Sequence, residues 1–329
     1  MKKWLRRLAI GALVGLVLFM SITFLRLQLA RYQVNKDRQA FAGTAPLDIG
    51  ETSSLEILPL YENDGLPGLQ TGKGVSYLIR TDDATILFDL GDNTTAASPS
   101  PLLQNMNELG ISLDEIDEIV ISHQHPDHLG GRNWWTKDTF SLDGLTQPPL
   151  GDMPVYIPEE MTYPGSAPIL SKMPALLSKG VATTGVIPYV QPFPVWLAIP
   201  RGDEQALAVN VSGVGIILIT GCGHMGLETL LARGETLFDA PVAGVVGGLH
   251  YGNNDTASLQ PQIELLNDLK PVVVALSPHD SGTAVLDGFA QAFPGAYRGL
   301  MVGQPIQISA AAVTTWLEWA AMQVSLAFS

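Results

Sequence analysis

All six histidines of this chain fall in four short segments, and each segment follows an apolar, strand-like run. The densest segment, residues 122–131, reads Ser-His-Gln-His-Pro-Asp-His-Leu-Gly-Gly and contains His123, His125, Asp127 and His128. Three imidazoles and a carboxylate this close together are costly to bury unpaired, but they are donors that divalent ions such as zinc prefer. The chain is therefore expected to adopt a fold that gathers several strand ends at one rim.

The spacing predicts two neighbouring metal positions. In an extended backbone, His123 and His125 project to the same side, so both can bind one ion, with His224 as the third ligand. After Pro126 the chain turns towards a second position. The ligands expected there are Asp127, His128 and His279.

Three more residues are expected to support this centre. His250 is interpreted as a catalytic group that orients or protonates the substrate, with metal ligation as the alternative. Cys222 is the only cysteine, so an internal disulfide is excluded. Its thiol is expected to pack against a ligand or bind metal weakly, with a reactive thiol as the alternative. Asp89 ends a predicted strand and is expected either to orient a metal-binding histidine or to cap the next loop.

The N-terminus predicts a membrane anchor. Residues 8–25 carry no charge and are flanked by Lys and Arg on both sides. Their number is at the lower limit for crossing a hydrocarbon core of about 30 Å. An uncleaved, single-pass anchor is favoured over a cleaved signal peptide, because the chain continues in helix-like sequence without a clear cleavage site. The short basic N-terminal tail favours an extracytoplasmic catalytic domain.

The charge distribution argues against nucleic acid as a partner. Residues 1–38 hold eight Lys or Arg and one acid, so the remainder has ten basic and 31 acidic residues, a formal net charge of −21. Such a surface repels polyanions. A small-molecule substrate is the expected partner, together with the membrane through the N-terminal helix.

Alternating apolar runs and turn residues predict an α/β domain. Strands are expected at 55–58, 74–80, 84–89, 119–121, 206–211, 214–219, 241–246 and 271–276, and helices at 101–109 and 263–269. The Pro- and Gly-rich stretch 136–200 is interpreted as long loops that shape a pocket. The apolar stretch 310–328 is expected to be a helix, either packed on the domain or lying at a membrane interface.

The run from Ser122 to Gly131 resembles the His-x-His-x-Asp-His signature of the metallo-β-lactamase superfamily. The Thr-Gly-Cys-Gly-His motif at 220–224, Gly-Gly-Leu-His at 247–250 and His-Asp-Ser-Gly at 279–282 resemble its dihydropterin-ribofuranosylaminobenzene phosphate synthase-like branch. The resemblance implies an αββα sandwich over residues 50–308. The anchor at 1–38 and the apolar helix at 309–329 lie outside the family's pattern and rest on the apolar stretches alone. Two departures stand out: Cys222 ends a strand where most members place a bridging aspartate, and the branch usually reads His-Cys-Thr-Gly in the last motif.

The superfamily resemblance implies a metal-dependent hydrolase with two divalent ions. Zinc is the first choice, with Mn²⁺ or Fe²⁺ as alternatives. A hydroxide formed on the ions would attack an ester, phosphoester or related bond. Asp127 would hold the nucleophile or its metal, and His250 would assist the leaving group. The alternatives are a transferase or synthase that joins a pterin to a phosphoribosyl aniline, a redox di-iron protein, and a non-catalytic metal-binding sensor.

Overall fold

The computed structural model describes residues 2–41, 45–314 and 316. The helices are α1 (Lys2–Phe41), α2 (Pro101–Glu108), α3 (Arg132–Trp135), α4 (Leu227–Leu237), α5 (Gln260–Leu269) and α6 (Thr283–Ala292). Single turns of 3₁₀ helix lie at Leu113–Glu115, Pro126–His128, Val195–Leu197 and Thr256–Leu259. The strands are β1 (Leu55–Tyr61), β2 (Ser76–Arg80), β3 (Thr85–Phe88), β4 (Glu118–Val120), β5 (Val155–Ile157), β6 (Ile169–Leu170), β7 (Leu176–Ser178), β8 (Val181–Thr183), β9 (Ile187–Val190), β10 (Arg201–Glu204), β11 (Leu207–Val211), β12 (Gly215–Thr220), β13 (Val242–Gly247), β14 (Val273–Leu276) and β15 (Ile306–Ile308).

Two mixed sheets form an α/β sandwich. The first sheet has the strand order β15-β1-β2-β3-β4-β5-β6, and the second has the order β14-β13-β12-β11-β8-β7. In the first sheet β3, β4 and β5 run parallel to one another, as do β12, β13 and β14 in the second. The predicted sandwich is thus confirmed at the level of two mixed sheets in an α/β fold.

The core lies between the sheets because side chains alternate across each strand with period two. One buried cluster combines residues of both sheets, among them Ile57, Ile79, Phe88, Val209, Ile217 and Val246. The intervening residues of the first sheet, such as Leu78 and Leu87, belong to a second cluster with Leu102 and Met106 of α2. Helix α2 therefore covers the outer face of the first sheet.

The expectation of long loops across residues 136–200 holds for most of the stretch but missed its short strands. The region contributes β5 and β6 to one edge of the first sheet, and β7 and β8 to one edge of the second. These strands have two or three residues each. Strands this short contain too few residues for an alternating pattern to stand out among prolines and glycines. Helices α4 and α6, which the strand-centred interpretation left out, also belong to the fold.

The chain divides into two compact units. One comprises Met1–Thr44 and Pro188–Gly202, and the other comprises Ala45–Ile187 and Asp203–Ser329. Within the described residues, α1 is the one helix long and apolar enough to cross a membrane. A membrane anchor and a signal sequence both fit such a helix.

At the other terminus, residues 310–314 and 316 are helical, and Trp316 stacks on the Arg298 guanidinium at 3.9 Å. The rest of the expected C-terminal helix lies outside the described residues.

Candidate metal centre

The four histidine segments all follow the carboxyl ends of parallel strands. The 122–131 segment follows β4, and the other three follow β12, β13 and β14 in turn. In open α/β sheets, ligands bind outside the carboxyl ends of the parallel strands. The close approach of two loops depends on Gly221, where a Cβ atom would collide with the Ser122 hydroxyl.

The first predicted ligand set comes together. His123, His125 and His224 each offer a donor atom, and these atoms lie within 4.8 Å of one another. The His125 Nδ1 atom is 2.9 Å from His123 Nε2 and 3.2 Å from His224 Nε2. His123 is almost fully buried, with its Nδ1 atom 2.8 Å from the Ser122 hydroxyl. Three ring nitrogens therefore converge on one point.

Burial and mutual repulsion keep these imidazoles neutral. Burial, followed by the charge of nearby histidines, lowers the pKa of His123 well below its ordinary value. The same causes lower the pKa of His125 to about 4 and that of His224 to about 2. A neutral imidazole has the lone pair that a metal ion needs. The donor set thus fits a divalent cation.

The second predicted set also comes together. Donor atoms of Asp127, His128 and His279 lie within 4.8 Å of one another. The Cys222 thiol sits between the two imidazoles, with its Sγ atom 3.2 Å from the Nε2 atoms of both His128 and His279. The ring centroids of His123 and His128 are 4.2 Å apart, so the two sets are neighbours. Cys222 can accordingly act as a ligand or pack against two of them. Its burial raises the thiol pKa well above the ordinary value.

Asp89 orients the His128 ring, as predicted for a carboxylate at this strand end. Its Oδ2 atom is 2.7 Å from His128 Nδ1, which leaves Nε2 directed at the centre. The same carboxylate accepts hydrogen bonds from the backbone N–H and the hydroxyl of Ser122, both at 2.6 Å. Burial alone would lower the pKa of His128, but the Asp89 carboxylate outweighs it and raises the pKa to about 9. Such carboxylate–histidine pairs fix the ring orientation in metal sites.

Glu62 plays a comparable part for His279, and the sequence interpretation missed it. The Ser277 hydroxyl lies 2.5 Å from His279 Nδ1 and also hydrogen-bonds the Glu62 carboxylate. The Tyr77 hydroxyl donates to the same carboxylate at 2.7 Å. Glu62 is fully buried and directly follows β1. An acid immediately after a buried strand, as at Asp89, was the available signal.

Glu204 shapes the loop that carries His224 and was also missed. This fully buried carboxylate accepts hydrogen bonds from the backbone N–H groups of Cys222, Gly223 and His224, at 3.1, 2.8 and 2.8 Å. It also accepts one from the Thr220 hydroxyl at 3.0 Å. No local motif marks Glu204, because its partners lie 16 to 20 residues further along the chain.

His250 lies at the edge of the centre. Its ring centroid is 4.6 Å from that of His224, and its side chain is 53% exposed. The backbone of His250 has a φ of 54°, and its N–H donates to the Asp280 carboxylate at 2.8 Å. His250 also forms a possible ligand group with Cys222 and His224. The geometry accommodates both interpretations of this residue, as a ligand and as a group that faces the substrate.

Comparisons with known proteins agree with this geometry. The family model described as the metallo-beta-lactamase superfamily matches residues 69–143, which include the densest histidine segment. The 7,8-dihydropterin-6-methyl-4-(beta-D-ribofuranosyl)-aminobenzene-5'-phosphate synthase of Methanocaldococcus jannaschii is 26% identical over 299 residues, covering 79% of this chain and 99% of that protein. An uncharacterized protein of the same organism is 28% identical over 193 residues, covering 54% of this chain and 72% of that protein.

Among solved structures, the fold is similar to that of a crystal structure described as a metal-dependent hydrolase of the beta-lactamase superfamily. The TM-score is 0.56 at 20% sequence identity, and the alignment covers 78% of this chain and 99% of the other. The sandwich, the histidine-rich centre at its strand ends and the matching family model lead to one conclusion. This chain belongs to the metallo-β-lactamase superfamily.

Proposed function

We propose that this protein is a membrane-anchored, metal-dependent hydrolase with two divalent ions, most suitably zinc. The observation that carries the proposal is the pair of adjacent ligand sets. One set is all imidazole, and the other combines imidazoles with a carboxylate and a thiol at its edge. Nitrogen, oxygen and sulfur donors in this mixture suit zinc.

Divalent ions bound here would supply a water with a pKa of about 7 and would polarise the substrate oxygen. The residues of the chain have distinct tasks around that chemistry. Asp127 can accept a hydrogen bond from the attacking water and hold it in line with the bond to be broken. Asp89, Glu62 and Glu204 keep the ligands in place through buried hydrogen bonds. Catalytic geometry then requires no rearrangement of the ligands.

His250 is suited to the leaving group. It is the most exposed of the histidines at the centre, and its ring centroid lies 4.6 Å from that of His224. An exposed imidazole can donate a proton to an oxygen or nitrogen that departs from the substrate. The substrate is expected to be an ester, a phosphoester or a related compound.

Elemental analysis of the purified full-length chain tests the proposal. We expect about two zinc ions per chain, as in two-metal hydrolytic sites, and a loss of about one in each of His125→Ala and His279→Ala. The matched variant His250→Ala should retain both ions but lose hydrolysis by roughly 10²- to 10⁴-fold, the range for a general acid. A single ion, bound iron, or a fully loaded chain inactive on esters, phosphoesters and lactams would contradict the proposal.

One observation favours a second candidate. The similarity to the dihydropterin-aminobenzene phosphate synthase extends over 99% of that protein. A synthase acting on a pterin and a phosphoribosyl aniline would bind a pterin at the metal centre. Calorimetric titration of the metal-loaded chain with a reduced pterin distinguishes the synthase from the hydrolase. Binding supports the synthase, and the absence of binding supports the hydrolase. A metal-binding sensor would show full metal content with neither activity.

A further inference from the structure

The loop between β9 and β10 presents an unusual apolar surface. From residue 187 to 200 the chain contains no charged residue. Within this stretch, Phe193 is 73% exposed and Ile199 is 56% exposed, and the intervening Val195 and Leu197 are also exposed. Large apolar side chains grouped on a surface mark a site of interaction. We refer to residues 192–200 as the apolar loop.

The apolar loop contacts the part of α1 that begins at Arg26. The Arg26 guanidinium donates a hydrogen bond to the Ala198 carbonyl at 2.9 Å. A shallow cavity is lined by α1 residues such as Ala30 and by Ile199 and Pro200 of the loop. Further along α1, Asp37 forms an ion pair with Arg201 at a distance of 2.6 Å. The loop and its flanks therefore lie beside the part of α1 that begins at Arg26.

Arg26 is the first charged residue after the apolar segment 8–25. Those eighteen residues are helical, and their large side chains are exposed, Leu13 at 60% and Leu25 at 59%. At 1.5 Å per residue such a segment is roughly 27 Å long, close to the thickness of a bilayer core. If residues 8–25 span the bilayer, Arg26 and the Ala198 carbonyl lie at its surface.

We propose that the apolar loop inserts into the headgroup region of the same bilayer that α1 crosses, so that lipid covers Phe193, Trp196 and Ile199. Tryptophan and other apolar side chains that lie next to polar backbone groups favour the headgroup region of a bilayer. The inference rests on the proposed anchor and is independent of the hydrolase chemistry. It gives the protein a second membrane contact, 167 or more residues after Leu25 in the sequence but adjacent to α1 in the structure.

Trp196 reports on this contact. The full chain is reconstituted at one copy per nanodisc, in phosphatidylcholine brominated close to the headgroup. The fluorescence of Trp196 is obtained as the difference between the native chain and Trp196→Phe. We expect brominated lipid to quench most of this component and aqueous acrylamide to quench little of it. The double variant Phe193→Asp/Ile199→Asp, which changes two exposed positions, should abolish the lipid quenching while the chain stays in the disc.

Two further fluorescence differences, measured with Trp134→Phe and Trp4→Phe, distinguish the ways in which the proposal can fail. Trp134 is buried, so the component lost in Trp134→Phe should be insensitive to brominated lipid. Trp4 lies on α1 and reports on the anchor through Trp4→Phe. Quenching of Trp4 without Trp196 would overturn the proposed insertion and leave the anchor intact. Absence of both would overturn the anchor as well. A Trp196 component shielded from both quenchers would mean that protein, rather than lipid, covers the loop.

Discussion

Glu204 is the residue on which the shape of the His224 loop depends. Its buried carboxylate accepts four hydrogen bonds, and three of the donors are consecutive backbone N–H groups. A glutamine at this position would present an amide N–H₂ to at least one of those donors. Because the donors cannot turn away without moving the loop, the His224 ligand would be displaced.

We therefore expect Glu204→Gln to weaken metal binding by roughly 10- to 100-fold, the usual effect of changing a partner of a ligand. Competition with a chromophoric chelator measures the affinity in the full chain. Glu160→Gln makes the same chemical change at an exposed position and should leave affinity unchanged. Equal affinities for the two variants would show that Glu204 does not hold the loop.

Glu118 provides a pH-dependent prediction outside the metal centre. Burial, with a smaller contribution from Asp117, raises its pKa from 4.5 to about 7. Within the part of the chain that the structure describes, its Oε2 atom has no hydrogen-bond partner. The folded state thus holds this proton more tightly than the unfolded state, and stability is lost as the pH rises from about 4.5 to about 7.

Glu118→Gln removes that ionisation. We expect the difference in unfolding free energy between pH 5 and pH 8 to be smaller in this variant than in the native chain. Urea unfolding of the detergent-solubilised protein, followed by tryptophan fluorescence, measures it. Glu108→Gln, at an exposed position on α2, is the control. The prediction fails if both variants follow the pH profile of the native protein.

At the scale of elements, Asn105 joins α2 to the first sheet. Its buried amide donates to the carbonyls of Leu60 and Gln70 at 2.7 and 2.8 Å and accepts from the Gln70 N–H at 2.7 Å. The Leu60 carbonyl belongs to β1, two residues before Glu62. The same side chain thus secures both the helix and the loop that leaves β1.

Asn105→Ala would leave these backbone groups without their partner. We expect it to lower the free energy of unfolding by about 2–4 kcal/mol, because three hydrogen bonds are lost and buried polar groups remain unsatisfied. Asn107→Ala, at an exposed position of the same helix, should change stability by less than about 0.5 kcal/mol. Chemical denaturation provides both values. Comparable losses in the two variants would assign the effect to the helix rather than to the buried amide.

At the scale of the whole molecule, the long apolar helix α1 fits either a membrane anchor or a signal sequence. Helix α1 continues for sixteen residues beyond Leu25, and Leu27, Ala30 and Val34 form a buried stripe on this extension. A signal peptide is removed after its apolar region, whereas this helix goes on as part of a folded unit. We therefore expect an uncleaved anchor.

The mass of the mature protein tests this expectation. It should include residues 1–38, and the protein should stay in the membrane fraction after an alkaline wash. Deletion of residues 2–25 should release the chain into the soluble fraction and is the matched comparison. A mature N-terminus after residue 25 would identify a signal sequence instead. Protease added outside intact cells should reach the acidic domain if the basic N-terminal tail is cytoplasmic.

The candidate metal ligands and the main strands could be predicted because their signals are local. Four of the candidate ligands lie within the six consecutive residues from His123 to His128, and strands such as β12 read as unbroken apolar runs. Glu62 follows a buried strand directly, so a local signal existed, but its partner Ser277 lies in a distant segment. Glu204 and the short strands β5–β8 could not be predicted. The role of Glu204 depends on partners in another segment, and strands of two or three residues show no period.

The sequence by itself determined which donors are available, that they follow strand ends, and that an apolar helix precedes an acidic domain. Only the tertiary structure decided that the donors of each predicted set lie close together, that Cys222 lies between His128 and His279, and that the apolar loop lies beside Arg26. The physical reason is distance along the chain. Donor chemistry and hydrophobicity are properties of each residue, whereas convergence of residues far apart in sequence requires the packed sheets that carry them.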